Sequence, residues 1–280
     1  MGLPKGAEDI QLTSDRLSVP LPERQCTMQK SVHHDRISEQ YQASSSQYDN
    51  VKNLPYAFVE RETLLSGIPE LTGKSILDVA CGTGFYSRIF KRLGAEQVVG
   101  VDIEQSMVDV ARQIEAERPL GITYDAVDAA ALPVLGAFDV VAPIWAFVHA
   151  KDAAEYHEMV ARCAANLKPG GLMVALCSNP DIDLERMAAY PRYGLSITPK
   201  DKHGDRQVIH IEMDVEPHVG FDGFFWPAGT TEAAMEKAGL VDVRRLPNRA
   251  PGHDIGMSDK GYYADFVANP PFALYTAVKP

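Results

Sequence analysis

Ile76-Leu-Asp-Val-Ala-Cys-Gly-Thr-Gly-Phe85 decides the fold, because an apolar run ends in an acid and passes at once into a Gly-x-Gly turn. Ser75 to Ala80 predicts a buried strand, and Phe85 to Arg92 predicts the helix that follows. Gly82 and Gly84 lack a Cβ and tolerate positive φ, so the backbone between them can turn sharply and touch a ligand. In an open parallel sheet, such a strand-to-helix crossing is where ligands bind.

Two further acids follow in the same pattern. Val98-Val-Gly-Val-Asp102 is a second apolar strand ending in a carboxylate, where a parallel neighbour would meet a ligand's ribose hydroxyls. Ile122-Thr-Tyr-Asp-Ala-Val-Asp128 is a third β-prone run, with Asp128 opening the loop behind it. Three strands thus each deliver a carboxylate to one edge. Helix Ser106 to Glu117, strand Ala137 to Ala142, helix Asp152 to Leu167 and strand Leu172 to Ser178 continue the alternation. Strands apolar throughout and separated by helices imply an α/β, doubly wound, mostly parallel sheet covered on both faces.

After the fifth strand the period changes from helical to alternating. Leu195 to Thr198 and Gln207 to Val215 predict an antiparallel hairpin around Gly204-Asp205, within an inserted cap spanning about 180–228. Thr230 or Thr231 is expected to cap a helix ending at Ala238, and Val241 to Leu246 and Phe272 to Val278 to form the last strands. Upstream, residues 1–32 are polar and broken by Pro4, Pro20 and Pro22, which predicts a mobile arm. Residues 33–70 hold two helix-compatible stretches, His33 to Tyr48 and Asn53 to Leu65, expected as helices preceding the main domain, 71–280.

The formal net charge of −11 lacks the cationic surplus that a polyanion demands, so nucleic acid is not expected as a partner. Lys200-Asp-Lys-His-Gly-Asp-Arg206 alternates in sign and is read as a solvated turn. No apolar run approaches a membrane span, no leader is recognisable, and no membrane partner is expected; the expected setting is cytoplasmic. Cys26, Cys81, Cys163 and Cys177 are scattered, with no His at ligand spacing, so neither metal nor disulfide frame is expected.

The spacing from Ser75 to Leu176 resembles the class I S-adenosylmethionine (SAM) dependent methyltransferase family, of small-molecule type. That resemblance implies a seven-stranded Rossmann-like sheet whose last strand is antiparallel and inserted beside the sixth. It also implies SAM as cofactor and S-adenosylhomocysteine (SAH) as product. Asp78, Ala80, Gly82 and Gly84 would form the turn against the methionine portion, and Asp102 would accept both ribose hydroxyls. Ile103 would lie on the adenine, Asp128 and Ala129 at its amino edge, and Pro143 at the end of the fourth strand. The N-terminal helices, 33–70, would lie as a lid over the cofactor, and Tyr48 would reach its carboxylate from there. Leu167-Lys-Pro-Gly-Gly171 matches the turn before the fifth strand. A dinucleotide-binding oxidoreductase is the competing reading, since Asp102 lies eighteen residues after Gly84. Against it, the third glycine is missing, and Asp78 would oppose a pyrophosphate where it would suit a cationic amino acid.

Methyl transfer is an in-line displacement, so the protein must align its reactants and exclude water; a base is needed only for an acceptor that loses a proton. Pro143-Ile-Trp-Ala-Phe-Val-His149 faces the methyl group by the family's geometry. Trp145 and Phe147 are candidates for an aromatic wall. His149 is the first candidate base and His210 the second, although a lone histidine is more often structural. The cap is rich in aromatic residues, with Tyr190, Tyr193 and Phe225 as candidate acceptor contacts, set against a plain apolar core. The expectation is a methyltransferase for a small, apolar or aromatic molecule, making O-, N- or C-methyl bonds, with natural-product tailoring a natural setting. A non-catalytic SAM-binding protein is the third reading. Any self-association is expected through the N-terminal helices or the cap.

Overall fold

In the computed structural model, which describes residues 45–216, 219–252 and 261–280, the stretch quoted above forms strand β1 (Ser75–Val79), buried over its whole length. Its side chains alternate between two apolar layers, Ile76 packing in one and Leu77 and Val79 in the other. Strand β2 (Gln97–Asp102) pairs with it in parallel, and β3 (Ile122–Ala126) pairs with β2. On the other side lie β4 (Phe138–Pro143) and then β5 (Leu167–Ser178), both parallel to β1. Helices Pro55–Gly67, Phe85–Arg92 and Gln105–Glu117 supply the first layer, through Leu64, Phe90 and Val108. Helices Ala153–Ala165 and Thr230–Lys237 supply the second, through Tyr156, Val160 and Met235.

Three antiparallel strands follow β5: β6 (Leu195–His203), β7 (Arg206–Met213) and β8 (Val219–Phe225). The expected hairpin is therefore part of a three-stranded sheet. Strand β8 was legible in principle, since Val219, Phe221, Gly223 and Phe225 alternate as buried positions. The main sheet closes with β9 (Val241–Leu246) and β10 (Phe272–Val278), in the order β3-β2-β1-β4-β5-β10-β9, with β10 antiparallel to both neighbours. The strand order reverses between β1 and β4, which opens a crevice at the carboxyl ends of those strands.

Several local expectations are revised. Gly229, at φ 83°, begins the helix Thr230–Lys237 without a side-chain cap. Thr231 is committed elsewhere, its hydroxyl 2.7 Å from that of Tyr156. Arg206 is buried rather than part of a solvated turn: it donates to the Ala150 and Lys151 carbonyls at 2.7 and 2.6 Å and lies over the Phe224 and Trp226 rings. The cap is thereby clamped to the loop that follows β4. The expected arm, residues 1–32, and residues 33–44 of the expected lid lie outside the described residues. Of the residues expected to form the lid, those described include a 3-10 helix, Ser45–Asn53, leading into Pro55–Gly67. Among the described residues, no helix is long and apolar enough to cross a membrane.

Candidate active site

The turn after β1 carries three successive positive-φ residues at alternate positions, Ala80 at 63°, Gly82 at 54° and Gly84 at 79°. The two glycines serve different needs. A Cβ built on Gly82 meets nothing within 4 Å, so this residue faces open space. A Cβ on Gly84 would sit 2.3 Å from the Tyr124 hydroxyl, so that glycine admits the tyrosine rather than a ligand. Asp102 holds the turn in place: one carboxylate oxygen accepts the Gly82 N–H at 2.8 Å, the other the Glu104 N–H at 2.9 Å. Burial pushes the Asp102 carboxyl up to about 6.

Asp78 lies beneath this turn, fully buried. Ser87 donates to its Oδ2 at 2.6 Å, and its Oδ1 has no partner among the described residues. Burial pushes its carboxyl up to about 7. Neither Asp78 nor Gly84 lines the crevice: Asp78 is fully buried, and Gly84 faces Tyr124. Pro143 is likewise paired with Val79 inside the sheet, and Ile144 takes the lining position expected of it.

The crevice holds about 1050 Å³ of open space. Ala80, Gly82, Asp102, Ile103, Asp128 and Ala129 all border it, with Asp128 also accepting the Ala130 N–H at 2.8 Å. Phe85, Tyr86 and Trp145 add aromatic surface at one end. The 3-10 helix over this end is latched to the glycine turn through Asp49, which accepts from Arg88 at 2.6 Å and from the Thr83 hydroxyl. Tyr48 belongs to the same helix, and its side chain lies outside the described residues.

A second cavity lies between the cap and the main sheet. Leu195, Ile197, Ile209, Met213, Phe221 and Phe225 give it an apolar body. Lys52, Trp145 and His149 border both cavities, so the polar end of the second is its shared wall with the first. His149 ends the 3-10 turn Phe147–His149, its ring 6.5 Å from that of Phe221 in the cap. Trp145 holds φ 62°, a backbone region that bulky residues avoid outside constrained sites.

Other expected contacts fall elsewhere. Phe147 turns away from both cavities into the second apolar layer, against Tyr156. Tyr190 and Tyr193 lie behind the cap with Phe266; Tyr190 donates to the Asn269 carbonyl and Tyr193 to the Tyr262 carbonyl at 2.8 Å. Their burial is structural. His210 points to the other side of the cap sheet, its Nδ1 2.7 Å from the Asp222 carboxylate, and lines neither cavity. This orientation follows from strand alternation, since Ile209 and Ile211 face inward. Asn179 is tied to Pro270, Asp181 and Arg245.

Lys52, Glu60 and Glu104 were not anticipated. Glu60 is 1% exposed, yet the signal was weak: a single acid on a helix ordinarily marks a solvated face. Among the described residues no group of ligands suited to a metal ion occurs.

This fold, with its glycine turn and its acids at the ends of β1 and β2, is that of the class I SAM-dependent methyltransferases. Residues 76–171 match the model of a methyltransferase domain, and over that stretch the chain is similar to this family. A ubiquinone biosynthesis O-methyltransferase of Coxiella burnetii (strain Dugway 5J108-111) is 32% identical over 142 residues, covering 50% of this chain and 59% of the relative. The chain thus spans rather more than half the length of that relative. Among solved structures, a SAM-dependent methyltransferase from Mesorhizobium loti superposes with a TM-score of 0.55 at 22% identity, over 79% of this chain and 98% of that one. The CcbJ methyltransferase from Streptomyces caelestis does so with a TM-score of 0.61 at 15% identity, over 88% and 98%. Gly82 supplies the independent test of fit, since its missing Cβ leaves open the space a bound methionine portion would need.

Proposed function

We propose that this chain transfers a methyl group from SAM to a hydroxyl of a small, largely apolar molecule. The observation that carries the reading is the shared wall: Lys52, Trp145 and His149 border both the crevice at the glycine turn and the apolar cavity under the cap. SAM, when bound, supplies the activated methyl group. Gly82, Asp102, Ile103, Asp128 and Ala129 would hold it, with Asp102 offering charge-assisted acceptance to its hydroxyls. Asp78 would act from beneath the turn, through water or through the charge it places there. The cap would seat the apolar body of the acceptor through Ile197, Ile209 and Phe225, leaving its hydroxyl at the polar end. There His149 stands where a base would take the hydroxyl proton, and Trp145 closes the wall against water. The C. burnetii relative's name supports an oxygen acceptor. The setting proposed is cytoplasmic.

The test is SAH binding by calorimetry, followed by transfer of radiolabelled methyl from SAM to alkylphenols, aliphatic alcohols and amines of matched size. The expected result is SAH binding with label on the alkylphenols. Heat protection by NAD(H) and none by SAH would replace the reading with an oxidoreductase. SAH binding with label on no acceptor would replace it with a non-catalytic SAM-binding protein.

A further inference from the structure

Three separate elements meet at one buried carboxylate. Glu60, on the helix Pro55–Gly67, accepts from Lys52 Nζ and from the Tyr86 hydroxyl, both at 2.7 Å, on Oε1. Its Oε2 accepts from the Trp145 indole N–H at 2.9 Å. Lys52 comes from the lid, Tyr86 from the helix after the glycine turn, and Trp145 from the loop after β4. With both oxygens engaged by donors, Glu60 is poorly suited to take a proton from an acceptor. Its effect falls on Trp145 and Lys52, two of the three residues in the wall between the cavities. Trp145 in turn leans edge-on against Phe272, 6.2 Å between centroids, so a hydrogen bond at one end and a ring contact at the other define its plane.

We propose that Glu60 is the positioning residue of the transfer site, fixing the Trp145 indole in the wall across which the methyl group passes. This rests on reading the two cavities as cofactor and acceptor sites. A glutamine at this position keeps the shape but carries an acceptor at one end only. Its amide nitrogen must then face either the Lys52 and Tyr86 donors or the Trp145 N–H. In either orientation one donor set loses its partner, and the wall shifts.

The chain contains two tryptophans, Trp145 and Trp226, so protein labelled with 5-fluorotryptophan gives two fluorine resonances, which Trp145→Phe assigns. Trp226 packs against Tyr156 in the opposite apolar layer and serves as the internal control of folding. In Glu60→Gln the Trp145 resonance is expected to move and broaden while that of Trp226 stays. With 4-heptylphenol as acceptor, kcat is expected to fall at least ~10-fold, with KM for SAM changing less than ~3-fold. Combining Glu60→Gln with Trp145→Phe should cost little more than either change alone, because both break one contact. An unmoved Trp145 resonance in a folded variant, or losses in kcat that simply multiply, would overturn the proposal. If the wild-type protein neither binds SAH nor methylates the phenol, the transfer reading fails instead, and the Trp145 resonance alone then decides whether Glu60 fixes the indole.

Discussion

Gly82→Ala and Gly84→Ala alter one turn at positions two apart, and the structure separates their consequences. Both residues hold positive φ, 54° and 79°, which costs an L-residue ~1–2 kcal/mol. At Gly82 the added methyl group meets nothing within 4 Å, so backbone strain is the whole penalty to folding. At Gly84 the methyl carbon would lie 2.3 Å from Tyr124 Oη and 2.7 Å from its Cζ. The same ring is also close to Gly100, where a Cβ would stand 2.7 Å from Tyr124 Cδ1, so the tyrosine must shift to admit the methyl group. Overpacking of this kind adds ~1–3 kcal/mol, for a total of ~2–5 kcal/mol. At ~2–4 °C per kcal/mol for a chain of this size, Gly84→Ala should lower the melting temperature by ~4–20 °C and Gly82→Ala by only ~2–8 °C. SAH affinity should show the reverse order. The Gly82 methyl group occupies the cofactor's space and should weaken binding at least ~10-fold, while folded Gly84→Ala binds within ~3-fold of normal. Thermal unfolding by circular dichroism and calorimetric titration with SAH measure the two halves. Tyr124→Phe, which removes the nearest atom, should restore part of the stability lost in Gly84→Ala and none of the affinity lost in Gly82→Ala. Equal destabilisation by both changes, with SAH affinity intact in Gly82→Ala, would refute the division of labour and the placement of the cofactor at Gly82.

The other predictions concern the acids and the base. Asp102→Asn should weaken SAH by ~10- to 100-fold, as a charge-assisted acceptor is lost and one of the Gly82 and Glu104 N–H groups meets an amide donor; unchanged calorimetric affinity would remove Asp102 from the site. For Asp78, the folded-state value of about 7 lies above the usual ~3.9 of an unfolded chain, so the native state binds the extra proton between those values. Stability should therefore fall as pH rises from ~4 to ~7, and Asp78→Asn should flatten the slope, leaving the smaller contribution of Asp102 up to about 6; an unchanged slope in melting temperature against pH would contradict this. His149→Ala should lower turnover on a phenol by ~10²-fold or more with SAH affinity nearly unchanged, and a loss below ~5-fold would point to catalysis by placement alone.

The sequence by itself determined the parallel sheet, the glycine turn and the acids at the strand ends, because each is written in contiguous residues. An apolar run of strand length, Gly82 and Gly84 after it, and Asp102 closing the next run are local facts, and sheet pairing only aligns them. It also located the aromatic loop from Trp145 to His149, since a loop after β4 must emerge at the same edge as the loop after β1. What it could not decide is which way a side chain faces when its neighbours in the chain allow either choice. Phe147 and Trp145 differ by two residues, yet Trp145 reaches the cavities through a positive φ that no residue pattern announces, while Phe147 turns into the core. Tyr190, Tyr193 and Phe225 are all aromatic and all buried, but only the packing of β8 over the sheet places Phe225 at the cavity. Glu60 is the strongest case. Its partners lie at positions 52, 86 and 145, and a carboxylate can be buried to 1% exposure only where the fold brings such donors together. Nothing in the helix that carries it distinguishes that acid from one destined for water, and tertiary structure alone makes the choice.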